Sequence, residues 1–257
     1  MRFSASIQIK DDPPHRLPTN YRIKIASLIK EAIKRENIDL YNSYWGDKNK
    51  NVTKPFTFSL YIPEAKHVNK NGACYLEFPS QNINLTLSSS DFSLLINLYN
   101  ALLNISGKYS IFTNYNEPEK SGRNMDIKNF RLLKEEAFHD GIYSFRFMSP
   151  LIIRDMTNRK GKSYLVAEDP DFHENLYHSI AHQYKIRSRD NKPLSINDIT
   201  FTPVNCRTVK IHHYREVIPA VSGTFKLEGK GDIIQMLYDE GAGARKSQGF
   251  GMMELLS

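Results

Sequence analysis

The sequence is poor in the residues that mark several protein classes. Its 257 residues include two cysteines, Cys74 and Cys206, which are too few for a disulfide framework or a cysteine metal cluster, and such sparse use is typical of a reducing compartment. No apolar run reaches the ~20 residues of a membrane-spanning helix, and the N-terminus lacks an apolar core followed by a cleavage site. We therefore expect a cytoplasmic protein that is not anchored in a membrane.

Glycine is also scarce, with 13 residues in the chain, yet four of them fall within residues 241–251, GAGARKSQGFG. The segment follows an amphipathic stretch and precedes an apolar one, which predicts a loop between a helix and a final strand. Backbone amides with no Cβ atom beside them can approach an anion closely, and Arg245 and Lys246 add positive charge. We predict that this glycine-rich loop contacts phosphate.

Positive charge exceeds negative charge moderately. Lysine and arginine total 35 against 28 aspartates and glutamates, which gives a net charge of +7. This balance suits a polyanionic partner, although many soluble proteins share it. The charge alone does not select a nucleic acid.

The hydrophobic periodicity gives the same order of elements twice. Alternating apolar and polar residues predict strands, and apolar residues three and four apart predict helices. In the first half the predicted elements are a strand over 3–9, a helix over about 20–36, strands over 56–61 and 73–78, a helix capped by 89–91, and strand-like sequence over 109–133. In the second half they are a strand from 143, a helix from 169, strands over about 200–213 and 216–227, a short helix near 232 and a terminal strand.

This order, βαββαβ, is that of a ferredoxin-like unit. We therefore predict an α+β protein of two tandem ferredoxin-like (RRM-like) domains, residues 1–137 and 138–257, with the glycine-rich loop in the second. No residues match between the halves, so the duplication is one of pattern.

A loop of the form GxG-x5-GxG before the last strand of a tandem ferredoxin-like protein resembles the RAMP superfamily of CRISPR-associated proteins. Within it, the chain is most similar to the sixth CRISPR-associated family, the repeat-processing endoribonucleases. Besides the loop, the resemblance rests on the opening strand and on LIKEAIK over 28–34, KPFTFSL over 54–60, SP over 149–150 and KGKSY over 160–164.

The resemblance implies a metal-independent endoribonuclease without a cofactor that binds CRISPR precursor RNA and often keeps the mature guide RNA. It implies cleavage within each repeat by the neighbouring 2′-OH, which leaves a 2′,3′-cyclic phosphate and a 5′-OH. Effector-complex proteins and a second copy of the chain are candidate partners. Candidate RNA contacts are Lys160, Lys162, Gly241, Gly243, Arg245, Lys246, Ser247, Gln248, Gly249 and Gly251.

Members of this family often carry a histidine just after the first helix, near a tyrosine on that helix and a lysine just before the second strand. Here the lysine position matches Lys54, the tyrosine position holds Lys30, and the histidine position falls near Tyr44. No histidine lies between His15 and His67. We therefore assign Lys30, Tyr44 and Lys54 as the candidate catalytic residues.

Cleavage of this kind needs a base for the 2′-OH proton, an acid for the leaving 5′-oxygen and a cation for the charge on the phosphate. Tyrosine and lysine have unperturbed pKa values of ~10, so at neutral pH they suit the acid or cation role better than the base role. His15 precedes the first helix, whose ~24 Å length separates it from Lys54, so we do not assign it as the acid. His178 and His182 are four residues apart but lack a third ligand, so no metal site is predicted.

Two other functions stay open at this point. A non-cutting RAMP protein of the same fold would capture repeat RNA or serve in an effector complex. An unrelated basic α/β enzyme would bind a nucleotide at the glycine-rich loop, but this loop follows a predicted helix and lacks the GK[ST] sequence of a P-loop.

Overall fold

The computed structural model describes residues 1–10, 12–46, 52–70, 73–108, 125–156, 163–187 and 193–256. The helices in these ranges are α1 (Tyr21–Glu36), α2 (Ile38–Trp45), α3 (Phe92–Ile105), α4 (Phe172–Arg187) and α5 (Gly231–Glu240). The strands are β1 (Arg2–Ile9), β2 (His15–Pro18), β3 (Phe56–Tyr61), β4 (Lys66–Lys70), β5 (Ala73–Phe78), β6 (Asn82–Ser89), β7 (Met125–Leu132), β8 (Gly141–Phe147), β9 (Ile153–Arg154), β10 (Tyr164–Leu165), β11 (Ile199–His213), β12 (Glu216–Gly229) and β13 (Met253–Leu255).

The first half folds around an antiparallel sheet with the strand order β3-β6-β1-β7. Because α1 and α3 each carry an apolar stripe, they pack together and bury these stripes against the sheet in one core. The buried positions of α1 include Ile25, Leu28, Ile29 and Ala32, which the periodicity predicts. This strand order, with one helix after β1 and one after β6, is that of a ferredoxin-like domain.

The predicted strand over 73–78 forms, but it does not belong to the core sheet of this domain. The third strand of the core sheet is β6, in which Ile83, Leu85 and Leu87 alternate and are fully buried. The segment 73–78 forms β5 of a separate three-stranded sheet with β2 and β4. The helix α2 was not predicted, and the predicted strand-like segment up to residue 124 lies outside the described residues, with β7 beginning at Met125.

The second half repeats the arrangement with the strand order β11-β12-β8-β13. α4 and α5 share a core with this sheet. β11 and β12 form a long hairpin, and only the Thr224–Gly229 part of β12 pairs with β8. The other half of the hairpin extends beyond the sheet, and His213 at its tip lies against Phe250 of the glycine-rich loop, with ring centroids 5.2 Å apart.

The fold is therefore a tandem ferredoxin-like α+β fold, as predicted from the sequence. The predicted domain boundary at 137/138 falls in the connection between β7 and β8. The two halves are in direct contact: Arg2 of β1 is buried, and its Nη1 donates to the Met253 carbonyl at 2.6 Å. None of the helices in the described ranges is long and apolar enough to span a membrane.

Candidate active site at the domain interface

The glycine-rich loop, residues 241–251, connects α5 to β13 and is packed against the first domain. Its four glycines all have positive φ, between 71° and 84°. At Gly249 a Cβ atom would lie 2.5 Å from Phe58 Cε2, and at Gly241 it would lie 3.0 Å from Thr57 Cβ. The Thr57 hydroxyl also donates to the Phe250 carbonyl at 2.9 Å. These two glycines therefore allow the loop to approach β3 closely.

Most backbone amides of the loop are already hydrogen bonded, which corrects the prediction that they stand free for phosphate. The amides of Ala242, Ala244 and Gly251 donate to the carbonyls of Gly251, Ile152 and Pro150 at 2.8–2.9 Å. The amides of Gln248 and Gly249 close a short 3₁₀ turn within the loop. A buried amide needs such a partner. These amides find their acceptors within the loop itself and in the segment just before β9.

Lys246 points into the protein interior. Its side chain is 6% exposed, and Nζ lies 3.2 Å from Oε2 of Glu240, the last residue of α5. Burial lowers the pKa of Lys246 to about 8, although the charge of Glu240 opposes this shift. As placed, the ammonium group neutralises a buried carboxylate and is not presented to a phosphate at the surface.

Arg245, Ser247 and Gln248 form the partly exposed crest of the loop. Arg245 donates from Nη2 to the Tyr164 hydroxyl at 2.7 Å, and Gln248 Oε1 lies 2.8 Å from His213 Nε2. Burial is the main cause that lowers the pKa of His213. The other two predicted RNA contacts, at positions 160 and 162, lie outside the described residues.

Lys30 and Lys54 come together beside this interface. Lys30 is exposed on α1, and Lys54 lies just before β3. Burial lowers the pKa of Lys54, and the nearby charge of Lys30 lowers it further. The Lys54 ammonium donates to the Val52 carbonyl at 3.1 Å and lies 5.6 Å from the centre of the Trp45 ring.

Tyr44 lies on α2. Its hydroxyl donates to Asp91 Oδ2 at 3.1 Å. Burial, followed by the charge of Asp91, raises the pKa of Tyr44 to about 12. The phenol therefore keeps its proton at neutral pH and cannot act as a base there.

Two charged residues of the second domain that the sequence reasoning missed also border this region. Arg187, the last residue of α4, donates from Nε to Glu240 Oε1 at 2.8 Å and from Nη2 to the Thr53 carbonyl at 3.1 Å. Glu240 is completely buried. No local signal in the sequence identifies this pair, because its members are 53 residues apart.

The histidines considered from the sequence do not form a metal site in the part of the chain that the structure describes. No group of three histidine, cysteine or acidic side chains with the geometry of a metal site occurs there. His178 and His182 are exposed on α4, and His178 Nε2 lies 3.7 Å from Glu174. His15 is buried on β2 against the Phe78 ring.

Comparison with known proteins finds a family model that matches the second half of the chain. Residues 133–255 match the family model described as the C-terminal part of the CRISPR-associated protein Cas6. The whole fold is similar to a Cas6-related protein from Pyrococcus furiosus, with a TM-score of 0.81 and 18% identity over 100% of this chain and 98% of that chain. The second half of this chain is therefore similar to the C-terminal part of Cas6.

Two further solved structures show the same fold. A RAMP protein that binds different RNA substrates has a TM-score of 0.79 and 20% identity, with 100% of both chains covered. A CRISPR-associated Cas6 protein has a TM-score of 0.74 and 21% identity over 100% of this chain and 99% of that chain. No curated protein is significantly similar in sequence to this chain.

The family match covers only part of the candidate site. The matched residues run from the end of the first domain to β13, so the glycine-rich loop, Arg187 and Glu240 lie within them. Lys30, Tyr44 and Lys54 lie outside, where the similarity to solved structures is one of fold. Their catalytic assignment stays a prediction, as does the assignment of the crest residues to RNA contact.

Proposed function

We propose that this protein belongs with the Cas6 proteins and is a metal-independent endoribonuclease that binds CRISPR repeat RNA and cleaves it within the repeat. The observation that carries the proposal is the meeting of Lys30, Lys54 and Arg187 at the junction of the Cas6 C-terminal domain with the first domain. Three cations at one junction suit a polyanionic backbone. We extend the proposal to the mature guide RNA, to effector-complex proteins and to a second copy as partners, in a cytoplasmic setting.

The reaction assigned to this site is attack of a 2′-OH on the adjacent phosphorus. The 2′-OH releases its proton to solvent water, and the new bond closes a 2′,3′-cyclic phosphate. The bond from phosphorus to the 5′-oxygen breaks, and the leaving oxygen takes up a proton from the acid. Tyr44 retains its proton and is the candidate acid, once it is released from Asp91. Lys54, with its lowered pKa, is the candidate cation beside the phosphate, supported by Lys30.

The test uses the CRISPR repeat RNA from the same genome in the presence of a strong chelator. We expect a 5′ fragment that ends in a 2′,3′-cyclic phosphate and a 3′ fragment that begins with a 5′-OH. An RNA with a single 2′-deoxy nucleotide at the cleavage position should bind equally well and stay intact, because the nucleophile is missing. Loss of cleavage with the chelator, or cleavage of the deoxy substrate, contradicts the mechanism.

A second function has an observation in its favour. No histidine lies between His15 and His67 in the sequence, and the Tyr44 hydroxyl is engaged by Asp91. Without a histidine of pKa near neutrality, the site lacks the side chain best matched to a general base. A protein that captures repeat RNA without cutting it fits these facts, and tight binding of unmodified repeat RNA that stays intact in the same assay identifies it.

A further inference from the structure

Glu240 is the point where the two domains and the glycine-rich loop are joined. Its buried carboxylate accepts hydrogen bonds from the Ser90 hydroxyl of the first domain at 2.6 Å and from Gln183 of α4 at 3.2 Å. It also accepts from Arg187 at 2.8 Å and from Lys246 of the loop at 3.2 Å. One buried carboxylate with four donors is a fully satisfied polar network, and such a network fixes the positions of its members.

Arg187 connects Glu240 to the candidate active site. Its guanidinium binds Glu240 through Nε and donates through Nη2 to the Thr53 carbonyl at 3.1 Å. Thr53 directly precedes Lys54, whose ammonium group folds back onto the carbonyl of Val52. The planar guanidinium thus spans from a carboxylate of the second domain to the backbone that carries Lys54.

We propose that Glu240, acting through Arg187, is a positioning residue that holds the Thr53–Lys54 backbone in place, so that the second domain completes a site located on the first. This inference rests on the proposed function of Lys54 in cleavage. The geometry assigns Lys246 a different part, as the counter-charge of Glu240 inside the protein.

A double variant that keeps the net charge can separate the positioning effect of Glu240 from the electrostatic attraction of RNA. Glu240→Gln removes a negative charge, and Lys246→Met removes a positive one, so the double variant has an unchanged net charge and no unpaired buried ammonium group. Arg187 keeps its charge but loses its carboxylate partner. A displacement of about 1 Å at a reacting group can cost ~100-fold in rate. We therefore expect slower cleavage with little change in RNA affinity.

The experiment compares the wild-type protein, Glu240→Gln/Lys246→Met and Arg187→Lys. The control is Glu174→Gln/Lys185→Met, the same pair of changes at exposed positions of α4. The Arg187→Lys variant keeps the charge but lacks the planar fork that reaches both partners. We expect single-turnover cleavage to fall ~10- to 100-fold in both site variants and to stay at the wild-type rate in the control.

Two further measurements keep the inference separate from the proposed function. Affinity for a 2′-deoxy repeat RNA should change by no more than about threefold, because no RNA-facing charge is removed from the double variant. The titration of Lys54, followed by NMR of the labelled lysine, should move toward its ordinary pKa once the backbone is released. A wild-type protein that binds without cutting refutes the proposed cleavage, and the Lys54 titration then decides the inference. Unchanged cleavage together with an unchanged Lys54 titration in both site variants overturns it.

Discussion

Replacing Gly249 by alanine separates a structural role of the glycine-rich loop from a direct role in RNA binding. Gly249 has φ +84°, and a Cβ atom there would lie 2.5 Å from Phe58 Cε2 and 2.8 Å from Phe58 Cζ. Left-handed backbone costs a non-glycine residue about 1–2 kcal/mol. Overpacking of a filled core adds about 1–3 kcal/mol. We therefore expect Gly249→Ala to lower the free energy of unfolding by about 2–5 kcal/mol.

The assay is urea denaturation followed by circular dichroism, together with RNA affinity measured under conditions where both proteins are folded. A companion variant, Phe58→Leu, removes the ring edge that the new methyl group meets. In the double variant the overpacking part should be relieved, so that its cost is smaller than the sum of the single costs by about 1–3 kcal/mol. The strain of the left-handed backbone remains.

The refuting result is equally definite. If Gly249→Ala changes the free energy of unfolding by less than about 1 kcal/mol while RNA affinity falls tenfold, the glycine serves close approach of RNA. The packing of the loop on Phe58 would then not explain this residue. Additive costs of Gly249→Ala and Phe58→Leu would also contradict the steric argument, since they share one contact.

Three other substitutions test the electrostatics of the site. The pKa of Lys246 in the folded protein is about 8, below the ordinary 10.5, so between these pH values the unfolded chain binds more protons than the folded one. The free energy of unfolding of the wild type, measured by urea denaturation relative to Lys246→Met, should therefore rise by about 3 kcal/mol from pH 7 to 11. A difference that does not change with pH contradicts the burial of this ammonium group. Tyr44→Phe should lower the free energy of unfolding by about 1 kcal/mol, because the hydrogen bond to Asp91 is lost. If the phenol is the acid, the single-turnover cleavage rate should also fall ~100-fold. A wild-type cleavage rate excludes Tyr44 as the acid. Lys54→Met should slow cleavage by a similar factor and reduce the salt dependence of RNA binding by about one unit of slope, and an unchanged slope rules out a phosphate contact there.

The periodicity predicts the elements whose burial pattern is local. β1, β3, α1 and α3 follow from alternating or helical spacing, and the loop between α5 and β13 follows from its glycines. The prediction used the strand over 73–78 as the third core strand and missed β6, which takes that place in the sheet. Which of them joins the sheet depends on pairing with β1 and β3, and this pairing is not a local property.

The candidate site also contains residues that were assigned from the sequence and residues that only the fold shows. Lys54 and Lys30 were assigned from the resemblance to the family, and the structure brings them near each other. Their catalytic role stays a prediction. Arg187 and Glu240 were not found, since their partners are distant in the chain. The inward direction of Lys246 was missed for a related reason: a lysine in a glycine-rich segment suggests exposure, whereas its carboxylate partner became visible only in the fold.

The contact between the loop and β3 can form only late in the synthesis of the chain on the ribosome. β3 is an edge strand of the first sheet, and the Thr57 hydroxyl finds its partner at Phe250, 193 residues later. At about 5–20 residues per second, a ribosome needs on the order of 10–40 s to synthesise that interval. During this time the first domain can assemble its core while the edge that the loop later covers stays open to other chains. Protection of that edge thus comes from residues translated long after the strand itself.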